Sequence, residues 1–488
     1  MTKKRIIFRA DGDAKIGLGH VSRCLALAEL LADEYSISFA IQVPGQHIVD
    51  SISKLALELI TLPSSHAGSL AFITELDPHL TGDEIIVIDG YHFDTTYEQR
   101  LKSKVGAVVS IDDLCNRHFV SDAVFNFCGA FRTQDYSREY YTQLFLGLKY
   151  VFLRSPFLMN TPLTDKKFSS RLFLNMGGAD LGNETLKILT ELDSMNYPGA
   201  IEVTVGGSYP HLNSLESITK SRKSIRLHQG LTAEEMFASM RRCAIAITPP
   251  STVALEFLST GGLAYLYQTA DNQAYQRAYL LDSNLAYEYS TSKLMDVREQ
   301  KSLFDKAIQN QKEIFDGSSK ARVKTVFKQV RLSSQLVLRN ATTRDMEQCF
   351  QWANDPEVRR YSYTTEPILW EGHCQWFEKK LADPSCFYFM AEIDGQLIGQ
   401  IRFDFLKDDN AYQISYTLDK NCRGKGLGYY LLVKGVQALG RITTFEKIIG
   451  YVQSSNVASI KAFQKASFTS HISDNYPDSF KFELFKGI

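Results

Sequence analysis

The chain is poor in cysteine and lacks any pairing pattern among the few it has. Eight occur in 488 residues, none at CxxC spacing and none grouped with histidine. That excludes a zinc ribbon or a disulfide framework and fits reduced thiols. An excess of either charge is lacking too: 54 Lys and Arg stand against 55 Asp and Glu. No general affinity for nucleic acid or a membrane surface is therefore expected, and any phosphate recognition must come from local sites. No apolar run approaches the roughly 20 residues that span a bilayer. The opening MTKKRIIFRADGD turns polar too soon for a signal-peptide core. Low-complexity tracts and long-period repeats are absent. What remains is a cytoplasmic globular chain as the expectation, long enough for two or three cores.

What is present first is an alternation of short apolar runs and amphipathic stretches, the mark of βαβ units around parallel sheets. Ile6-Ile7-Phe8 reads as a strand and is followed by the turn Gly17-Leu18-Gly19-His20 and a helix through Cys24–Leu31. Strands are expected at 38–41, 85–88 and 107–111, with Asp often at the C-terminal strand end. The pattern restarts at Arg171–Asn175, followed by Met176-Gly177-Gly178, and continues through strands at 201–205 and 244–247. Two Rossmann-like lobes, 1–160 and 161–330, are predicted to face a cleft. Residues 292–331 read as closing helices plus a linker, and 336–488 as a separate α+β domain with a central mixed sheet.

In that last domain Arg423-Gly424-Lys425-Gly426-Leu427-Gly428 lies between a strand ending at Leu418 and the apolar helical text Tyr429–Val433. A glycine turn entering a helix presents free backbone N–H groups to an anion, and glycine lets a pyrophosphate approach closely. Upstream, Ala391–Ile401 reads as a hairpin turning at Asp394-Gly395. Downstream comes Asn456-Val457-Ala458-Ser459, leading to Phe463.

In order and spacing these elements resemble the GNAT acetyltransferase superfamily across 336–488. The resemblance implies acetyl-CoA as co-substrate, its pyrophosphate cradled by the amides of 424–429. Arg423 and Lys425 would add charge, and Asn456 would lie beside the pantetheine arm. Leu418, Ser459 and Phe463 would complete the cofactor contacts. Many relatives carry a tyrosine where Phe463 stands, to protonate the departing thiolate, and phenylalanine cannot donate. Tyr429, Tyr430 and Tyr451 are alternative donors or core residues; Glu392 and Asp404 are candidate bases or structural carboxylates. Trp352–Arg359 resembles acceptor-side text in several branches of the superfamily and equally fits an ordinary helix end.

In the first half, Arg9, Asp11, Gly17, Gly19, His20 and Arg23 form a loop-to-helix motif. An imidazole at a helix start can take a proton from water at neutral pH; it can also be incidental to a capping loop. In the second lobe Ser251-Thr252, with Glu256 one turn on, suits a diphosphate at a helix N-terminus, with the carboxylate on ribose hydroxyls. Gly177-Gly178 and Asn272-Gln273 would complete a polar cleft. Together with Ile88-Asp89-Gly90-Tyr91 and Ile111-Asp112-Asp113, this text resembles the two-lobed, GT-B-like hydrolases that release UDP from UDP-2,4-diacetamido-2,4,6-trideoxy-β-L-altropyranose. The resemblance implies His20 as the base activating water for inverting attack at C1. It places UDP on Ser251, Thr252 and Glu256, and sets Asp11 and Tyr91 near the sugar. Pro249-Pro250 departs from the small residues that relatives carry before Ser-Thr. No metal is needed on this reading.

Joined on one chain, the two halves are expected to acetylate the 4-amino group of a UDP-4-amino-4,6-dideoxy-N-acetyl-altrosamine and then release UDP from the product. A glycosyltransferase, or a nucleotide-sugar binding module joined to an acetyltransferase for another amine such as a protein N-terminus, stays open. The oligomeric state is not legible.

Overall fold

The computed structural model describes residues 3–12, 19–55, 57–158, 166–178, 180–207 and 209–485. It forms two compact units, one of Met1–Arg138 with Thr142–Val326, the other of Glu139–Tyr141 with Phe327–Ile488. The expected lobe boundary near 160 falls largely outside the described residues. At the end of the 292–331 stretch expected as closing helices plus a linker, Ser319–Gln335 is one continuous helix.

The first unit holds two parallel sheets. In the seven-stranded sheet, Arg5–Ala10 pairs on one side with Ser36–Gln42 and on the other with Ile85–Asp89, which pairs in turn with Ala107–Ile111. Isoleucine and valine dominate these strands, and Ile85–Asp89 is buried at every position, as expected of parallel strands covered on both faces. Ile7, Ile86 and Ile88 pack with Phe72, Phe93 and Tyr97 to fill one face. The six-stranded sheet repeats the plan: Leu172–Leu174 lies between Ile201–Val205 and Ile245–Thr248, and Leu263–Leu266 follows. In both sheets the strand order reverses beside the first strand. Chains then leave the C-terminal ends of two neighbouring strands in opposite directions and open a crevice between them.

The second unit is built on a seven-stranded mixed sheet. Cys386–Ile393 and Gln396–Leu406 form the expected hairpin, and Asp394 and Gly395 both have positive φ (51° and 74°), as a tight two-residue turn demands. Gln396–Leu406 pairs antiparallel with Ala411–Leu418 along its length. Ala411–Leu418 pairs parallel with Lys447–Gln453, but only from Ala411 to Gln413. From Ile414 onward these two strands part, while Lys447–Gln453 stays fully paired with Ser479–Phe485 on its other side. The helix Leu427–Ile442 packs Leu431, Leu432, Val436 and Leu439 into the core beneath.

Candidate active sites

In the first unit the site grows from the ends of two neighbouring strands. Asp89 ends its strand with a carboxylate that is fully buried. His20, in the first turn of the helix Gly19–Leu31, donates from Nδ1 to Asp89 Oδ1 at 2.7 Å. Arg23, one turn further, donates to the same oxygen at 2.6 Å and from Nη1 to Asp113 at 2.6 Å. Its Nη2 lies 3.2 Å from His20 Nδ1 because both nitrogens converge on Oδ1. Burial opposes ionisation of Asp89, but the charges of Arg23 and His20 outweigh it and hold the carboxyl at about 2. With Nδ1 committed, Nε2 is the ring nitrogen left for chemistry. His20 is 6% exposed, and its ring meets the edge of Tyr91 at 4.6 Å.

Tyr91 is 48% exposed and links a loop of the first sheet to a turn of the second. Its hydroxyl donates to Asp113 at 3.0 Å and accepts from Asn272 Nδ2 at 3.0 Å. Asn272 belongs to the turn Asp271–Gln273, which follows the strand Leu263–Leu266 of the second sheet. At that sheet's crevice, Gly177-Gly178 leave the strand Leu172–Leu174, and Ser251 caps the helix Thr252–Ser259 after the strand Ile245–Thr248. Gly177 has φ +95°, and a Cβ at either glycine would meet open space. The Ser251 side chain makes no cap hydrogen bond, so its hydroxyl and the helix-start amides are available to an anion.

Several expected contacts need correcting. Glu256 is 2% exposed, and both its oxygens accept from Arg154, at 2.6 and 2.7 Å, so the carboxylate orders Arg154 and is not free for ribose hydroxyls. Gln273 turns its amide back onto Thr269 and Ala270 and closes its own loop. Asp11 is tied to Arg9 at 2.6 Å and His92 at 3.0 Å and accepts from the Gln42 amide. Burial alone would raise its pKa, yet those hydrogen bonds and the Arg9 charge hold it well below the usual carboxylate range. Gly19 opens the His20 helix; Gly17 lies outside the described residues.

In the second unit, Gly424 and Gly426 have φ +74° and +77°, a backbone that L side chains rarely adopt. Those two turns bring the amides of 424–428 to the start of the helix Leu427–Ile442, and among the described residues no protein acceptor takes them. A Cβ at Gly424 would meet nothing, so the loop is open on that side. Lys425 is exposed beside it, and Gly428 opens the helix after Leu427. Arg423 needs correcting: its guanidinium bonds Asp355 at 2.9 Å and Glu357 at 2.7 Å, and its Nε donates to the Leu418 carbonyl at 3.2 Å. It pins the loop to the Trp352–Arg359 segment through Nη1, while its Nη2 has no protein partner among the described residues. Asn456 caps the helix Val457–Lys465 by accepting from the Ser459 amide at 3.1 Å. Phe463 also needs correcting: it is 2% exposed, stacked on Phe482 and edge-on to Phe468, and belongs to the core.

The pairing of Asp89 with His20, that of Arg154 with Glu256, and the parting of Ala411–Leu418 from Lys447–Gln453 had no reading in the sequence, where Asp89 entered only as part of the Ile88–Tyr91 motif. Among the described residues no group of His, Cys, Asp or Glu is arranged to hold a metal ion, and no helix is long and apolar enough to cross a membrane.

Comparison with known proteins divides the chain in the same way. Residues 335–469 match the family model of the acetyltransferase (GNAT) domain, so the C-terminal region carries that domain. An uncharacterised protein of Methanocaldococcus jannaschii is 22% identical over 95% of this chain and 96% of its own length. The UDP-2,4-diacetamido-2,4,6-trideoxy-β-L-altropyranose hydrolase of Campylobacter jejuni is 28% identical over 46% of this chain and 77% of its own. Acetyltransferase PseH of the same species is 26% identical over 27% of this chain and 82% of its own. The chain therefore resembles a nucleotide-sugar hydrolase followed by a GNAT acetyltransferase.

Proposed function

We propose that this chain is a bifunctional enzyme of pseudaminic acid biosynthesis. Its C-terminal domain transfers acetyl from acetyl-CoA to the 4-amino group of UDP-4-amino-4,6-dideoxy-N-acetyl-altrosamine, and its GT-B-like first unit hydrolyses the diacetamido product to UDP and free sugar. The observation that carries the hydrolase half is the His20–Asp89 pair at a strand-order reversal, beside a Tyr91 that reaches Asn272. The amino-sugar hydrolase relative and PseH support the substrate assignment for the two halves.

In the hydrolase, Asp89 holds the Nδ1–H tautomer of His20, so Nε2 takes a proton from water as the water attacks C1 opposite UDP. The diphosphate leaves onto Gly177-Gly178, Ser251, Thr252 and the helix-start amides, which stabilise its charge without reorganising. Tyr91 and Asn272 border the sugar. In the acetyltransferase, acetyl-CoA supplies the thioester when bound. The loop 424–428 holds its pyrophosphate, and Asn456 and the strand edge beyond Gln413, which has parted from Lys447–Gln453, flank the arm. Positioning dominates the rate of such a direct transfer.

The test is to supply acetyl-CoA with the UDP-4-amino sugar and follow CoA and UDP separately by mass spectrometry. Release of both supports the proposal. CoA without UDP, from a protein that also leaves the pre-acetylated sugar nucleotide intact, removes the hydrolase. Absence of CoA release removes the assigned acceptor.

A further inference from the structure

Collapse of the tetrahedral intermediate in acetyl transfer expels a thiolate, which must gain a proton. Phe463 is buried and has none to give. Three other phenols of the domain give their protons to groups elsewhere. Tyr429 donates to the Tyr141 carbonyl, Tyr388 to the Gln400 side chain and Tyr363 to Ser479 Oγ. Tyr416 differs in place and in partner. It lies on Ala411–Leu418 beyond Gln413, where that strand has parted from Lys447–Gln453. Its hydroxyl is 3.0 Å from Ser459 Oγ, on the helix capped by Asn456. A Cβ placed on Gly428 would lie 3.6 Å from the same hydroxyl. The phenol thus stands where the pyrophosphate loop, the Asn456 helix and the open strand edge converge.

We propose that Tyr416 is the general acid of acetyl transfer and that Ser459 resupplies its proton. The proposal rests on the acetyltransferase reading of this domain. The amine nitrogen bonds to the carbonyl carbon while the π pair moves to oxygen. As the carbonyl re-forms, the C–S bond breaks with its pair on sulfur. Tyr416 Oη–H passes its proton to that sulfur, and Ser459 Oγ–H passes one to Tyr416. Ser459 regains a proton from water, which received the one shed by the acylated nitrogen, so the net transfer is from amine to thiol. Burial pushes the phenol up, a hydrogen bond with Ser459 only partly offsetting this, so it is protonated at neutral pH.

The experiment compares the full-length protein with Tyr416→Phe and Ser459→Ala, using acetyl-CoA with either the UDP-4-amino sugar or hydroxylamine as acceptor. Tyr416→Phe is expected to lower kcat by roughly 10²–10⁴ with both acceptors, leave KM for acetyl-CoA within about twofold, and abolish the solvent deuterium effect on kcat. Ser459→Ala should lose less. By calorimetry the parent should bind CoA about fivefold tighter than desulfo-CoA, and Tyr416→Phe should lose that preference. Retained affinity of Tyr416→Phe for desulfo-CoA shows that its own domain is folded, and UDP release from the pre-acetylated sugar nucleotide should be unchanged. Parental kcat in Tyr416→Phe, or a fall matched by lost binding of both CoA and desulfo-CoA, overturns the proposal. Parental activity with hydroxylamine but not with the sugar overturns the assigned acceptor alone.

Discussion

At the scale of single residues the proposed hydrolysis turns on a histidine whose orientation is set from 69 positions away. His20→Ala should lower kcat for UDP release by roughly 10²–10⁴ while KM changes little, because the lost proton transfer belongs to the transition state. Asp89→Asn should cost about 10- to 100-fold, since the amide no longer selects the Nδ1–H tautomer. Steady-state UDP release measures both, and an Asp89→Asn rate within about twofold of the parent would detach Asp89 from catalysis. The same carboxylate shapes acid stability. Its folded pKa of about 2 lies below the ordinary aspartate value of about 3.9, so its stabilisation is complete above about pH 4 and is lost as pH falls toward 2. Acid unfolding should be shallower in Asp89→Asn over that window. His20 was legible because it sits beside a glycine turn and a helix start. Its partner was not, because a carboxylate at the end of a parallel strand meets the first helix only after the sheet has formed. The pairs Glu256–Arg154 and Arg423–Asp355 escaped reading for the same reason: charge type is visible in a sequence, but the partner that consumes it is 102 or 68 positions away.

At the scale of elements the legible features are those with local causes. The Asp394-Gly395 hairpin, the glycine loop before Leu427 and the helix starts after strands all follow from backbone preferences of a few consecutive residues. The parting of Ala411–Leu418 from Lys447–Gln453 has no such signature, because it depends on which strand holds the far edge. Two substitutions separate the loop's shape from its ligand. In Gly426→Ala the new Cβ keeps a left-handed φ and comes 3.1 Å from Gln329 Nε2, so a stability loss of about 1–2 kcal/mol is expected in thermal unfolding. In Gly424→Glu the Cβ enters open space, so strain from φ is the only local cost, but a carboxylate is set beside the proposed pyrophosphate amides. CoA affinity by calorimetry should then fall by about tenfold or more, because repulsion replaces a favourable amide nest. Unchanged CoA affinity in Gly424→Glu would move the cofactor away from this loop.

At the scale of the whole molecule, the proposed pairing of two consecutive activities poses the question of how an acetylated intermediate would pass between them. A small nucleotide sugar released into solution diffuses away far faster than an enzyme turning over about ten times per second can consume it. A tether between two proteins raises the encounter of the proteins with each other, and does little for a free intermediate. The expectation is therefore free exchange through solution. His20→Ala retains the acetyl-transfer machinery, and Gly424→Glu retains the hydrolytic one. Mixed with acetyl-CoA and the UDP-4-amino sugar, the pair should restore UDP release that neither sustains alone. The release should show a lag that shortens as protein concentration rises. The parent, at equal concentration of each active site, should show the same lag, because the intermediate must accumulate toward the hydrolase KM in both cases. Continuous assay of UDP against CoA measures the two lags directly. A parent without a lag beside a mixture with one would mean that the intermediate is handed over without leaving the protein.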